Sequence, residues 1–120
     1  MDTLTFTFGL AENIVNYDRW SDREKKIARR VFEEAVAEEL ASGIADFKAR
    51  AAAVTEPDEM WALETYLRER RREIDRKYDY RYSQLIWVFG QLLREGRIRE
   101  EQLAGLAEEK LDAIRQFASF

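Results

Sequence analysis

The chain has 120 residues, 46% of them apolar and 37% charged, a net charge of −4, and neither histidine nor cysteine. These figures fit a single globular domain rather than a disordered chain. They exclude disulfides, thiolate chemistry, cysteine-ligated zinc and the Glu-x-x-His di-iron site of helical bundles.

An acidic balance disfavours a general nucleic-acid binder, whose domain carries a basic surplus. No apolar stretch approaches the ~18 residues of a membrane span, and no signal-peptide pattern opens the chain, so a cytoplasmic protein is expected. Five glycines and one proline predict long helices with few loops.

Residues 1–20 form a segment apart, expected to be an extended or mobile arm. In it Leu4, Phe6, Phe8 and Leu10 alternate with Thr and Gly in a strand-like period of two, with no strand elsewhere to pair with. A short helix starting near Ala11 is the alternative.

The rest, residues 21–120, reads as one all-helical domain. Ser21 and Glu24 have the spacing of a capping box, and Asp22 adds negative charge to the first turn. Trp20, just before the cap, is placed to pack on Ile27 or Ala28. Ala28, Phe32, Val36, Leu40, Ile44, Phe47, Ala51 and Val54 recur every three or four residues, so a helix is expected over 22–53.

Pro57 suits the first position of a second helix, with Asp58 and Glu59 in its first turn. Met60, Leu63, Leu67, Ile74 and Tyr78 mark its apolar face. This helix either continues through Tyr82 to Leu93, giving long helices over 21–94, or bends near 78–82. Gly96 is a helix-terminating residue. Ile98, Leu103, Leu106, Leu111, Ile114 and Phe117 predict one or two short helices jointed at Gly105, a small head over about 80–120.

A helix of roughly 30 residues spans about 45 Å, wider than a compact globule of this length. Long amphipathic helices in so short a chain predict burial against a second copy, a homodimer.

The carboxylates Glu33, Glu34, Glu38 and Glu39, with Glu100, Glu101, Glu108 and Glu109, read as solvated helix faces. Arg68, Arg70, Arg71, Arg72, Arg76, Lys77 and Arg81 form the basic cluster, interleaved with Glu69, Glu73, Asp75 and Asp79. It is either a salt-bridged surface, with pairs such as Glu64 and Arg68, or a patch for an acidic partner. Trp61 lies off the Leu63–Leu67–Ile74 stripe and is either an interface anchor or a core residue. Tyr78, Tyr82 and Phe89 would share one face of a continuous helix, with Tyr80 and Trp87 pointing elsewhere. Most of these aromatics are expected to pack, and Trp87 is the candidate for an exposed docking residue. No nucleotide-binding or metalloprotease motif is present, and no serine has a base in view. No catalytic residue, cofactor or metal is therefore expected.

Residues 61–110 carry a more specific pattern. Trp61, Leu63, Leu67, Arg71, Glu73-Ile74-Asp75, Lys77-Tyr78-Asp79 and Arg81 are followed by Val88-Phe89, Gln91-Leu92-Leu93, Glu95-Gly96, Leu103 and Glu109-Lys110. With Trp20, Ser21 and Glu24 this resembles the fluorescence recovery protein family of cyanobacteria over about 100 residues.

The resemblance implies an all-α elongated dimer of long antiparallel helices with a C-terminal helical head, and no enzymatic activity. It implies binding to photoactivated orange carotenoid protein, chiefly its C-terminal domain. Such binding speeds return to the resting orange form and ends phycobilisome fluorescence quenching. By the same resemblance Trp61 and Arg71 match positions that serve the dimer and activity, and Trp87 matches an aromatic of the head that contacts the partner.

Two positions depart from the family pattern. Glu64 and Thr65 stand where the family has His and Asp. Thr65 cannot form the ion pair with Arg71 that the Asp provides, which leaves Glu64 as a displaced carboxylate. Glu64, Thr65 and Arg68 therefore join Trp61, Arg71 and Trp87 as candidates for the partner or dimer surface. The alternative is a dimeric helical adaptor of the same fold, serving another protein in an organism without phycobilisomes.

Overall fold

The structure is a computed structural model and describes residues 19–120. The arm expected over 1–20 lies outside the described residues as far as residue 18. Arg19 and Trp20 belong to the folded part, and Trp20 is buried. Every regular element among the described residues is helical: α1 Asp22–Ala52, α2 Pro57–Lys77, α3 Leu85–Arg94, a 3-10 turn Glu100–Leu103, and α4 Glu108–Ala118. The described residues extend over 64 × 32 × 21 Å, with a radius of gyration of 18.5 Å. A compact domain of this size would have about 13 Å.

α1 begins as its sequence dictates. The Ser21 hydroxyl accepts from the Glu24 amide at 3.1 Å, and the Ser21 amide donates to Glu24 Oε1 at 3.0 Å. Glu24 also does tertiary work. Its Oε2 accepts from the Ala107 amide at 2.9 Å, at the start of α4, and Lys110 Nζ donates to Oε1 at 3.2 Å. Lys110 further donates to the Arg19 carbonyl at 2.7 Å and lies over the Trp20 ring. One capping carboxylate thus fixes the entry of α1 and the entry of α4 together. Burial pulls the Glu24 carboxyl up, but the Ser21 and Ala107 amides and Lys110 overcome it, and its pKa is lowered.

The core lies at one end of the molecule. Ile27, Ala28, Val31 and Ala35 of α1 pack against Leu85, Ile86, Val88, Phe89 and Leu92 of α3, Ile98, Leu103 and Leu106 of the following loop, and Ala113 and Ile114 of α4. α3 and α4 approach closely at Gly90, where an added Cβ would stand 2.6 Å from Phe117 Cβ. α3 ends in a Schellman motif: the Arg97 amide donates to the Leu92 carbonyl at 2.9 Å and the Gly96 amide to Leu93 at 3.1 Å. Gly96 supplies the positive φ of 73° that this ending requires.

Two expectations are corrected here, and one open alternative is decided. The stripe Phe32–Val36–Leu40–Ile44–Phe47 is not the buried face of α1; the face one residue earlier is. Leu40, Ile44 and Phe47 are 47%, 57% and 38% exposed, because α1 runs on past the head and, among the described residues, its second half is accompanied by α2, which leaves this face open. Secondly, Glu39 is not on a solvated face; its exposure is 0%.

Thirdly, of the two paths open after Ile74, the chain takes the bend. α2 stops at Lys77, and Tyr78, Tyr80 and Tyr82 turn onto α1 instead of dividing between helix faces. Phe32 meets Tyr78 and Tyr80 edge-on at 5.5 and 4.8 Å, Tyr80 meets Tyr82 at 5.6 Å, and Tyr82 meets Trp20 at 5.9 Å. Packing the three tyrosine rings against Phe32 and Trp20 outweighs continuing a helix whose rings would otherwise face solvent.

Candidate functional site

α2 runs back along the second half of α1. Pro57 occupies its first turn with Asp58 and Glu59, yet none of its 21 residues is buried. What ties it to α1 is largely polar. The Tyr66 hydroxyl donates to Asp46 Oδ2 at 2.7 Å, and the Arg50 guanidinium sits over the Tyr66 ring at 3.9 Å while donating to Asp46 at 2.9 Å. The Tyr66 and Arg50 hydrogen bonds hold the Asp46 carboxyl below its usual range. Near the head, Arg70, Lys77 and Tyr78 converge on Glu39.

Between the two helices runs an open groove of about 1110 Å³, lined by apolar side chains including Phe32, Val36, Leu40, Ile44, Leu67 and Ile74. At its margin stand Arg70 and Arg71.

The candidate residues on α2 are spread over one solvent-facing length of helix. Trp61 is 59% exposed. The Thr65 hydroxyl donates back to the Trp61 carbonyl at 3.3 Å, a helix-internal bond that ties up no guanidinium. Glu64 pairs with Arg68 at 2.5 Å, as their spacing predicts, and so is not a displaced partner for Arg71. Arg71 instead lies 3.8 Å from Asp75, its side chain 86% exposed. Arg72 and Arg76 have no ion-pair partner among the described residues. The basic cluster is therefore divided: Arg68, Arg70, Lys77 and Arg81 are engaged, Arg71 is held loosely by Asp75 and largely exposed, and Arg72 and Arg76 present free guanidinium edges.

Trp87 stands apart from these on α3, 57% exposed, its ring stacked on Phe117 with centroids 3.6 Å apart. Phe120 meets Phe117 at 6.4 Å and is 82% exposed, which extends the aromatic patch to the end of the chain. Sequence reading found Trp87 and missed its companions, since nothing in helical spacing places residue 117 beside residue 87. It also missed Glu39. The signal existed: Ala28, Val31, Ala35 and Glu39 continue one face at i,i+3 and i,i+4 spacing.

Among the described residues no helix is long and apolar enough to cross a membrane. Together, an all-helical rod with an uncovered apolar groove, an exposed Arg–Trp surface and a small aromatic-tipped head define a protein-binding scaffold.

The chain matches the family described as photoprotection regulator fluorescence recovery protein over residues 20–118. A fluorescence recovery protein from Synechocystis sp. PCC 6803 is 40% identical over 99 residues, which cover 82% of this chain and 91% of that one. The solved structure of the Fremyella diplosiphon fluorescence recovery protein superposes with a TM-score of 0.82 at 35% identity, covering 85% of this chain and all of the other. The structure from Synechocystis sp. PCC 6803 gives 0.81 at 39% identity with the same coverage. The chain belongs to the fluorescence recovery protein family, a family of photoprotection regulators.

Proposed function

We propose that this protein is a non-enzymatic, cytoplasmic homodimer that binds photoactivated orange carotenoid protein, accelerates its return to the orange form and so ends phycobilisome quenching. The observation that carries this reading is the family match across residues 20–118 together with the retained Trp61, Arg71 and Trp87, all exposed. The uncovered groove supports the dimer. Leu40, Ile44, Phe47 and Leu67 are 47%, 57%, 38% and 38% exposed, so covering them with a second copy would contribute about 1 kcal/mol per side chain, a fraction of the value for full burial. The head aromatics and the free guanidinium edges then serve the carotenoid protein.

A binder of this kind works by preferring one conformer or the barrier between two; equal affinity for all states would move nothing. The test is the dark recovery of photoactivated orange carotenoid protein, followed by absorbance. Acceleration at substoichiometric dimer is expected, despite Thr65. No acceleration by a folded dimer would assign the scaffold to a different protein partner. Arg71→Leu is expected to slow recovery while leaving circular dichroism unchanged; parallel loss of helicity would remove Arg71 from the binding surface.

A further inference from the structure

Glu39 is fully buried at the meeting point of three parts of the chain. From α2, Lys77 Nζ donates to Oε2 at 2.9 Å and Arg70 Nη2 to the same oxygen at 3.3 Å. From the bend, the Tyr78 hydroxyl donates to Oε1 at 2.6 Å and also touches the Ala35 carbonyl at 3.3 Å. From the loop after α3, Arg97 Nε stands 3.1 Å from Oε1. Lys77 carries the connection further, to Glu95 at the end of α3, at 2.9 Å.

The carboxylate therefore links α1, α2 and the head in one node. Apolar packing cannot take over this task, because no apolar residue of α2 is buried; the side chain it brings inside is that of Lys77, 8% exposed. Hydrophobic contact is also non-directional and tolerates sliding, whereas charge-assisted hydrogen bonds are short and directional. A helix with no buried apolar anchor, leaving the head through a non-helical bend, takes its direction from whatever holds its last turn.

The geometry points to Glu39 as a positioning residue: it fixes the angle at which α2 leaves the head, and with it the spacing between the Trp61–Arg71 surface and Trp87. Its effect on recovery rests on the proposed partner; its effect on the angle does not.

The chain has no cysteine, so Arg72→Cys on α2 and Arg94→Cys on α3, both exposed, accept a pair of spin labels. Dilution of the doubly labelled protein with unlabelled full-length protein isolates the intrachain distance. The parent is expected to give one narrow distance distribution. Glu39→Gln is expected to displace or broaden it while helix content by circular dichroism is retained. If that variant fails to fold, Arg97→Gln removes only the link from the head loop and is expected to broaden the distribution less.

An unchanged distribution in a folded variant of either kind overturns the proposal and leaves Glu39 as a stabilising residue alone. In the recovery assay, a broadened Glu39→Gln protein is expected to lose most of the acceleration at equal concentration. Full acceleration by that variant would overturn the link from angle to function. Failure of the parent protein itself to accelerate recovery counts against the partner, and the distance measurement still decides the role of Glu39.

Discussion

Every buried residue of the described chain lies either before Leu40 or after Gln84, and residues 40–84 contain none. The head end is a closed core of some fifteen apolar side chains. The stalk end is two helices held together by Asp46, Tyr66, Arg50 and Glu39 over an open apolar groove. Both regions have clear 3.6-residue periodicity. One period is satisfied within the described residues and the other is left uncovered by them. Amphipathicity alone says that a face will be covered, not by what.

The sharpest way to test this division is to truncate one large side chain in each region. Phe89 has no exposure at all, and Phe89→Ala should cost about 3–5 kcal/mol, a large part of the total stability of a small domain. Leu67 is 38% exposed in the single chain, and Leu67→Ala should cost under about 1 kcal/mol at concentrations where the protein is monomeric. Urea unfolding followed by circular dichroism measures both. Equal losses would mean that the stalk has a core of its own.

Acid should act on the head and its joint with the stalk before it acts elsewhere. Glu24 and Glu39 both have lowered pKa values: burial raises each, but hydrogen bonds from Ser21, Ala107 and Lys110 to Glu24, and from Lys77 and Tyr78 to Glu39, outweigh it. A carboxylate whose pKa is lower folded than unfolded stabilises fully above the unfolded value of about 4.3, and that contribution is lost as pH falls through the folded value. Thermal midpoints should therefore hold from pH 7 to about 5 and fall steeply below about 4, where protonation leaves buried cations unpaired. Glu39→Gln should flatten part of that acid limb. An acid limb identical in the variant would place the sensitivity at other carboxylates.

Gly90→Ala tests the tightest contact within the head. The new methyl carbon would stand 2.6 Å from Phe117 Cβ, so either α4 shifts or the helices strain, at about 1–3 kcal/mol. Because Phe117 also supports Trp87, the same change should alter the intrinsic fluorescence of that exposed tryptophan. A stability unchanged within error would show that α4 rides on α3 more loosely than the structure has it.

The sequence made much of the head legible and left the stalk ambiguous, for a physical reason. Caps and breaks are local: Ser21 with Glu24, Pro57 and Gly96 announce themselves within four residues, and the helices begin and end at them. The bend at Tyr78 is not local. It depends on Phe32 and Trp20, far away in sequence, accepting rings that would otherwise continue a helix. Glu39 was hidden by its company, since a carboxylate beside Glu33, Glu34 and Glu38 reads as one more surface charge. Its burial follows only from the cations that α2 and Arg97 bring to it. Of the candidate surface, Trp61 is exposed as its position off the apolar stripe suggests and Trp87 as its position away from Phe89 suggests, whereas Arg71, spaced like a stripe residue between Leu67 and Ile74, is exposed too. The pairing of Glu64 with Arg68 was legible in their i,i+4 spacing, and it leaves Arg71 to Asp75.

The smallest expected effect on folding comes from the change with the largest expected effect on assembly. Leu40 and Ile44 lie on the groove face of α1, 47% and 57% exposed, one helical turn apart. Changing both to glutamate adds no buried charge to the single chain, so head stability should move by no more than about 0.5 kcal/mol. Against a second copy the same charges would be desolvated in the apolar groove, with Arg70 and Arg71 only at its margin, and association should weaken strongly. Light scattering gives the mass and urea unfolding gives the stability, on one sample. A monomer with an intact head would assign the groove to the homodimer and free the Arg–Trp surface for the partner. An unchanged mass would move the dimer contact away from the groove, and that face would then belong to the partner.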